Sequence, residues 1–226
     1  MNKFKNNGMF DKKYLRLYAI TDRTWVGEGT LLEQVNAAIK GGITMLQWRE
    51  KNIIKNGIID DALFKEAVEI RELCRANNIP FIVNDSVEMA LKLEADGVHV
   101  GQSDMDAVKA RQILGKNSII GVTAKTVEQA TAAYKAGADY LGSGAVFGSS
   151  TKTDAVAMKK ELLTEICESM PLPVVAIGGI NAENVAGLND TKISGVAVIS
   201  GIFGQKDICE ATQNIFQILI DRKILI

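Results

Sequence analysis

Short apolar runs alternate with stretches of helical spacing along almost the whole chain. The runs are LRLYAIT from Leu15, TMLQWRE from Thr44, PFIVND from Pro80, GVHVG from Gly97, SIIGVT from Ser118, YLGSGAV from Tyr140, PVVAIGG from Pro173 and GVAVISG from Gly195. Between them LLEQVNAAIKGG, ALFKEAVEIRELCRANN and VEQATAAYKAG repeat apolar residues at helical intervals and end in Gly or Asn, as a helix C-terminus prefers. A last amphipathic stretch, DICEATQNIFQILIDRKIL, supplies the eighth helix. Strands that are almost continuously apolar and separated by helices predict a parallel sheet covered by helices. Eight such units in 226 residues predict an α/β fold, a single (β/α)8 TIM barrel. A doubly wound open sheet shares the local pattern but usually has fewer strands. With no linker or low-complexity block, the expected organisation is an N-terminal arm at residues 1–13, frayed or packed on the surface, and one barrel domain at residues 14–226.

The polar exceptions to this pattern fall at the ends of the runs. In TMLQWREK the period of two along a strand puts Gln47, Arg49 and Lys51 on one face and Leu46, Trp48 and Glu50 on the other. Trp48 is expected to pack against a helix. The third run ends in Asn84-Asp85, the fourth continues into Gln102 and Asp104, and the fifth ends in Thr123. The sixth is followed by GAVFGSSTKTDA, the seventh by Gly178-Gly179 and the eighth by Ser200-Gly201. In this type of barrel the C-terminal strand ends and the loops after them build the active site.

Composition narrows the chemistry. A formal net charge of -1 gives no global basic field for nucleic acid or anionic membrane, so any bound anion needs a local site. Cys74, Cys167 and Cys209 form no CxxC pair, which fits a reducing cytosol and argues against a disulfide framework or structural zinc. No run of apolar residues is long enough for a membrane span, and the basic, Asn-rich start lacks the apolar segment of a signal peptide. A cytoplasmic protein is expected. The single histidine, His99, lies between valines and reads as a hydrogen-bonded structural residue rather than a base.

Each polar motif has a plain structural reading beside the chemical one. A charged strand end is commonly a solvated loop, yet Gln47-x-Arg49-x-Lys51 aims an amide, a guanidinium fork and an ammonium at one point, which suits a polyphosphate. Asp85 and Asp104 could each cap the following helix. On neighbouring strand ends, beside these cations, they suit Mg²⁺, which takes one or two carboxylates plus phosphate oxygens and water. GSSTKTDA could be a surface loop. With the glycines after strands 7 and 8, the recurrent phosphate site of this fold, Lys152 and its hydroxyl neighbours suit a monophosphate. Two anion sites with no evident nucleophile suggest the joining of two phosphorylated molecules with loss of diphosphate, by positioning and charge neutralisation.

QWREK, VND, DGVHVGQSD, GVT, FGSSTKTDA, AIGGI and VISG, in this order, resemble the thiamine phosphate synthase family over nearly the whole chain. The resemblance implies a Mg²⁺-dependent transferase. It condenses 4-amino-5-hydroxymethyl-2-methylpyrimidine diphosphate with a thiazole monophosphate, carboxylated or not, to thiamine phosphate and diphosphate by a dissociative mechanism. By that resemblance Gln47, Arg49, Lys51, Asn84, Thr123 and Lys152 hold the pyrimidine diphosphate. Arg49, Lys51, Thr123 and Lys152 act on the leaving group, so the family moves Lys152 from the monophosphate to the diphosphate. Ser149, Thr151, Gly179, Ile199 and Ser200 hold the thiazole phosphate, and Asp85 and Asp104 bind Mg²⁺. Ala145 and Ser149 depart from the residues frequent in the family, which bears on rate rather than reaction. The implied partners are these small molecules, with neither nucleic acid nor membrane, and a homo-oligomer is compatible with the reading. Two rivals stay open, a thiazole tautomerase on the same barrel and a non-catalytic barrel that binds a phosphorylated metabolite. The first commonly uses a histidine, absent from TAKT after strand 5, and neither needs the diphosphate constellation.

Overall fold

The computed structural model describes residues 3–6, 8–50, 60–102, 106–148 and 157–225. Its eight apolar runs form parallel strands: β1 (Leu17–Ile20), β2 (Met45–Trp48), β3 (Phe81–Asn84), β4 (Gly97–Val100), β5 (Ile119–Thr123), β6 (Tyr140–Gly144), β7 (Val174–Ile177) and β8 (Gly195–Val198). Each pairs with the next, and β8 returns to β1 through Val196–Leu17 and Ala197–Tyr18, which closes the barrel. Closure explains the strand composition: one face packs on helices and the other fills the barrel, so both are buried.

Helices α1 (Leu31–Gly41), α2 (Asp61–Ala76), α3 (Val87–Lys92), α4 (Ala107–Leu114), α5 (Val127–Lys135) and α6 (Lys160–Ser169) follow the first six strands. Thr30 and Glu33 cap α1 reciprocally, and Gly42 at φ +100° ends it. The seventh unit departs from the repeat, with a 3-10 turn at Val185–Leu188 in the place of a helix. After β8 a single turn, α7 (Ser200–Phe203), precedes α8 (Ile208–Asp221). No helix among the described residues is long and apolar enough to cross a membrane.

The strand period sorts the core into two clusters. Leu17, Ala19, Leu46, Trp48, Phe81 and Val83 pack outward on the helices, and Trp48 takes the expected place there. Tyr18, Ile20, Met45, Ile82, Ile119, Tyr140, Val175 and Ala197 fill the barrel. The arm joins this inner cluster rather than fraying. Lys5–Asn6 and Met9–Phe10 pair as an antiparallel hairpin, and Phe4 (1% exposed) and Phe10 (8% exposed) seal the lower end. Asp139 anchors that end by accepting from Lys5 Nζ, Arg111 Nη2 and the Ile120 N–H, each at 2.7–2.8 Å.

Candidate active site

At the upper end the barrel opens into a cavity of about 480 Å³, the size of a site for a small organic ligand. Gln47, Arg49, Asn84, Asp85, Thr123, Gly179, Ile199 and Ser200 all line it, so eight residues singled out from the sequence converge on one space. Lys51, Asp104, Ser149, Thr151 and Lys152 lie outside the described residues.

The inward face of β2 carries Gln47 and then Arg49, as the alternation requires. Both are nearly buried, at 2% and 5% exposed. The loop after β1 fixes Arg49. Its N–H donates to Thr21 Oγ1 at 2.9 Å, and its Nη1 donates to Asp22 Oδ2 at 2.6 Å. Nη2 is buried and has no hydrogen-bond partner among the described residues. Burial pushes the Asp22 carboxyl up, but hydrogen bonds from Thr24 and Arg49 outweigh it and hold the group below the ordinary carboxylate range. The outward-turned Glu50 lies 2.7 Å from Arg23 Nε, an ion pair rather than an aligned hydrogen bond, and Arg23 also pairs with Glu66. Burial raises the Glu50 carboxyl against the pull of Arg23. Two successive residues after β1 thus engage two successive residues after β2, in matching order of opposite charge.

Neither candidate metal ligand is needed as a helix cap. Ser86 caps α3 by accepting from the Met89 N–H, and Asp106 caps α4 by accepting from the Val108 N–H. The cap signals in the sequence are genuine but belong one and two residues further on. Asp85 instead sits at φ +61°, a left-handed conformation that Asp and Asn adopt more readily than other side chains, and accepts from Asn84 Nδ2 at 2.6 Å. Among the described residues no group of three or more His, Cys, Asp or Glu could hold a metal by itself. Asp85 is the only carboxylate among the described residues that line the cavity, and a hard cation held there would have to complete its shell with other oxygens, from substrate and water.

On the opposite wall the loops after β6, β7 and β8 meet closely. Gly178 (φ +107°) and Gly179 (φ +64°) run against the loop after β6, where a Cβ on Gly179 would lie 2.7 Å from Phe147 O. Asn184 Nδ2 donates to Gly179 O at 2.8 Å and holds the turn. Ile199 and Ser200 enter the cavity where β8 passes into α7.

Sequence reasoning missed several lining residues. Tyr18 looks like an ordinary strand aromatic but lines the cavity with His99, and the buried Tyr140 lies within hydrogen-bond distance of both. His99 is hydrogen-bonded at both nitrogens, in keeping with its structural reading, yet it also forms cavity wall. Lys125 and Gln129, after β5, line the rim, with Lys125 N–H donating to Gln129 Oε1 at 2.7 Å. Asp22 carried no signal, because its role depends on a partner 27 residues away.

A family profile described as thiamine monophosphate synthase matches residues 17–202, the span from β1 into α7. This chain belongs to the thiamine monophosphate synthase family. Similar members of the family include the thiamine-phosphate synthase of Ruminiclostridium cellulolyticum, 44% identical over 91% of this chain and 96% of that protein. The thiamine-phosphate synthase of Clostridium acetobutylicum is 43% identical over 90% of this chain and 94% of its own length. Among solved structures, a thiamine phosphate pyrophosphorylase from Pyrococcus furiosus superposes with a TM-score of 0.82 at 38% identity, covering 93% of this chain and 98% of that one. The family's barrel and this closed eight-stranded barrel are therefore the same fold.

Proposed function

We propose that this protein is a thiamine phosphate synthase, a transferase that joins a pyrimidinylmethyl diphosphate to a thiazole monophosphate and releases diphosphate. One observation carries the reading beyond family membership. Arg49 is buried at the cavity with Nη1 anchored on Asp22 and Nη2 without a partner among the described residues. A buried N–H left unpaired is costly, and a ligand oxygen would satisfy it.

In this reading Gln47, Arg49, Asn84 and Thr123, with Lys51 and Lys152, hold the pyrimidine diphosphate. Gly179, Ile199 and Ser200, with Ser149 and Thr151, hold the thiazole phosphate. Asp85 and Asp104 would hold Mg²⁺, which when bound supplies countercharge to the diphosphate. The chain's own task is to orient the two substrates and keep water out while the carbon–oxygen bond to diphosphate breaks and the thiazole nitrogen takes the methylene carbon. Arg49 stabilises the charge that gathers on the leaving oxygens. No side chain need act as a nucleophile. The partners are then small molecules, and the compartment is the cytoplasm.

Diphosphate release should be measured with both substrates and Mg²⁺, with each substrate omitted, and with EDTA. Release that requires both substrates and the metal is the expected result. No release while the thiazole phosphate still binds would overturn the reading in favour of a tautomerase or a binding protein.

A further inference from the structure

Five side chains form a continuous hydrogen-bonded line beneath the cavity. Gln47 Nε2 lies 2.7 Å from Tyr18 Oη, which is 2.9 Å from Tyr140 Oη. Tyr140 Oη lies 3.0 Å from His99 Nδ1, and His99 Nε2 is 3.1 Å from Thr123 Oγ1. Gln47, Tyr18, His99 and Thr123 line the cavity, and Tyr140, which joins Tyr18 to His99, is fully buried. The sequence clears space for this line. A Cβ on Gly121 would lie 2.1 Å from the Tyr140 ring and 2.5 Å from His99 Nδ1, and a Cβ on Gly142 would lie 3.0 Å from His99 Cε1.

Each hydroxyl carries one proton, and a neutral imidazole donates from one nitrogen and accepts at the other. A buried donor left without an acceptor is expensive. With His99 neutral, only two proton arrangements therefore satisfy the whole line. In the first, the Gln47 amide donates to Tyr18, Tyr18 to Tyr140, Tyr140 to His99 Nδ1, and His99 Nε2–H to Thr123. The cavity then faces Gln47 Oε1, an acceptor, at one end and the Thr123 O–H, a donor, at the other. In the second, the amide is turned over and every proton is reversed, so the cavity meets a donor at Gln47 and an acceptor at Thr123. The line makes the two ends interdependent.

We infer that Tyr18, Tyr140 and His99 are positioning residues that lock the first arrangement and so set specificity for an aminopyrimidine carrying an anionic tail. An exocyclic amine donates to Gln47 Oε1, and a diphosphate oxygen accepts from Thr123. One ligand thus satisfies both ends at once. A pyrimidine bearing a carbonyl in place of the amine would require the reversed line, which presents an acceptor to the diphosphate. The inference rests on the pyrimidine diphosphate reading above and adds the device that enforces it.

Two measurements on the full-length, untagged protein test this. Because His99 is the only histidine, selective nitrogen-15 histidine labelling reports one imidazole, and the expected state has the proton on Nε2 with Nδ1 as acceptor. A proton on Nδ1 would overturn the inference. The second measurement compares kcat/KM for the 4-amino substrate and its 4-oxo analogue in the wild type, Tyr140→Phe and Tyr18→Phe. Both variants keep the aromatic packing, so at least one should remain folded. The expected result is that preference for the amine falls about tenfold in the variants, the worth of one hydrogen bond, while KM for the thiazole phosphate is unchanged. An equal preference in all three proteins would overturn the inference alone. A wild type that releases no diphosphate from the 4-amino substrate would overturn the functional reading, and the inference with it.

Discussion

Arg49 and Asp22 meet at 2.6 Å across the loops that follow the first two strands, and the contact uses only one side of the guanidinium. The carboxylate orients the fork and leaves Nη2 buried and without a partner among the described residues. A charged donor held in place before a ligand arrives loses little freedom on binding, which is how a fixed cation contributes most to a developing anion.

Arg49→Ala should lower kcat/KM for diphosphate release by about 100-fold or more, in the range seen when a preorganised donor is removed from a charged transition state. Arg49→Lys keeps the charge but loses the fork and should recover only part of this. Asp22→Ala should cost about tenfold through the loss of a charge-assisted bond that positions Arg49. Steady-state kinetics decides, and an Asp22→Ala enzyme with wild-type constants would separate the ion pair from function.

Asp22 also predicts a pH dependence of stability. Its carboxyl titrates below the ordinary value of 3.8 in the folded protein. Its contribution is therefore complete above that ordinary value and lost as pH falls through the lowered folded one. Urea unfolding across the acid range should show a shallower loss of stability in Asp22→Asn than in the wild type. Identical slopes would mean that the ion pair does not persist in solution.

Asp85→Asn should separate stability from activity. Asparagine tolerates the left-handed conformation that Asp85 adopts at φ +61°, so unfolding free energy should change by no more than about 0.5 kcal/mol. The Mg²⁺ concentration needed for half-maximal diphosphate release should rise sharply. An unchanged metal requirement would remove Asp85 from the proposed ligand set.

Gly121→Ala places a methyl 2.1 Å from the Tyr140 ring. Overpacking at that distance should cost about 2 kcal/mol in chemical denaturation. A neutral result would show that the ring is free to move aside.

Phe4→Ala should cost about 3 kcal/mol, because Phe4 is buried in the inner cluster and packs edge-on against Tyr14 with ring centroids 4.9 Å apart. The KM values of the folded fraction should be unchanged, since the arm closes the end of the barrel away from the cavity. A shifted KM would indicate coupling along the barrel axis.

Much of this was legible before the fold was seen. Period-two alternation correctly turned Gln47 and Arg49 inward and Trp48 outward, because a closed barrel leaves a strand only two faces. The polar strand ends marked the rim, since a charged group so placed must face either solvent or a ligand. What escaped were relationships between elements. Tyr18 and Tyr140 carry no local sign that their hydroxyls meet, and Asp22 becomes a positioning group only when β1 and β2 lie side by side. The seventh unit kept its strand but exchanged its helix for a 3-10 turn, in a stretch where the helical pattern is weak. The arm was misjudged because two aromatic residues amid Lys and Asn give no indication that they will end inside a barrel.

Lys5 meets Asp139 across 134 residues of chain, and Phe10 lies against Tyr140 with ring centroids 5.9 Å apart. During synthesis the arm leaves the ribosome before the barrel, while Asp139 and Tyr140, which meet Lys5 and Phe10, follow much later in the chain. Residues made ahead of the barrel are thus among the last of these to find their place, and pairing this distant is slow to form. A chain cut short before β6 would display Phe4 and Phe10 with no lodging for them, an apolar flag that a quality-control system could read as unfinished work.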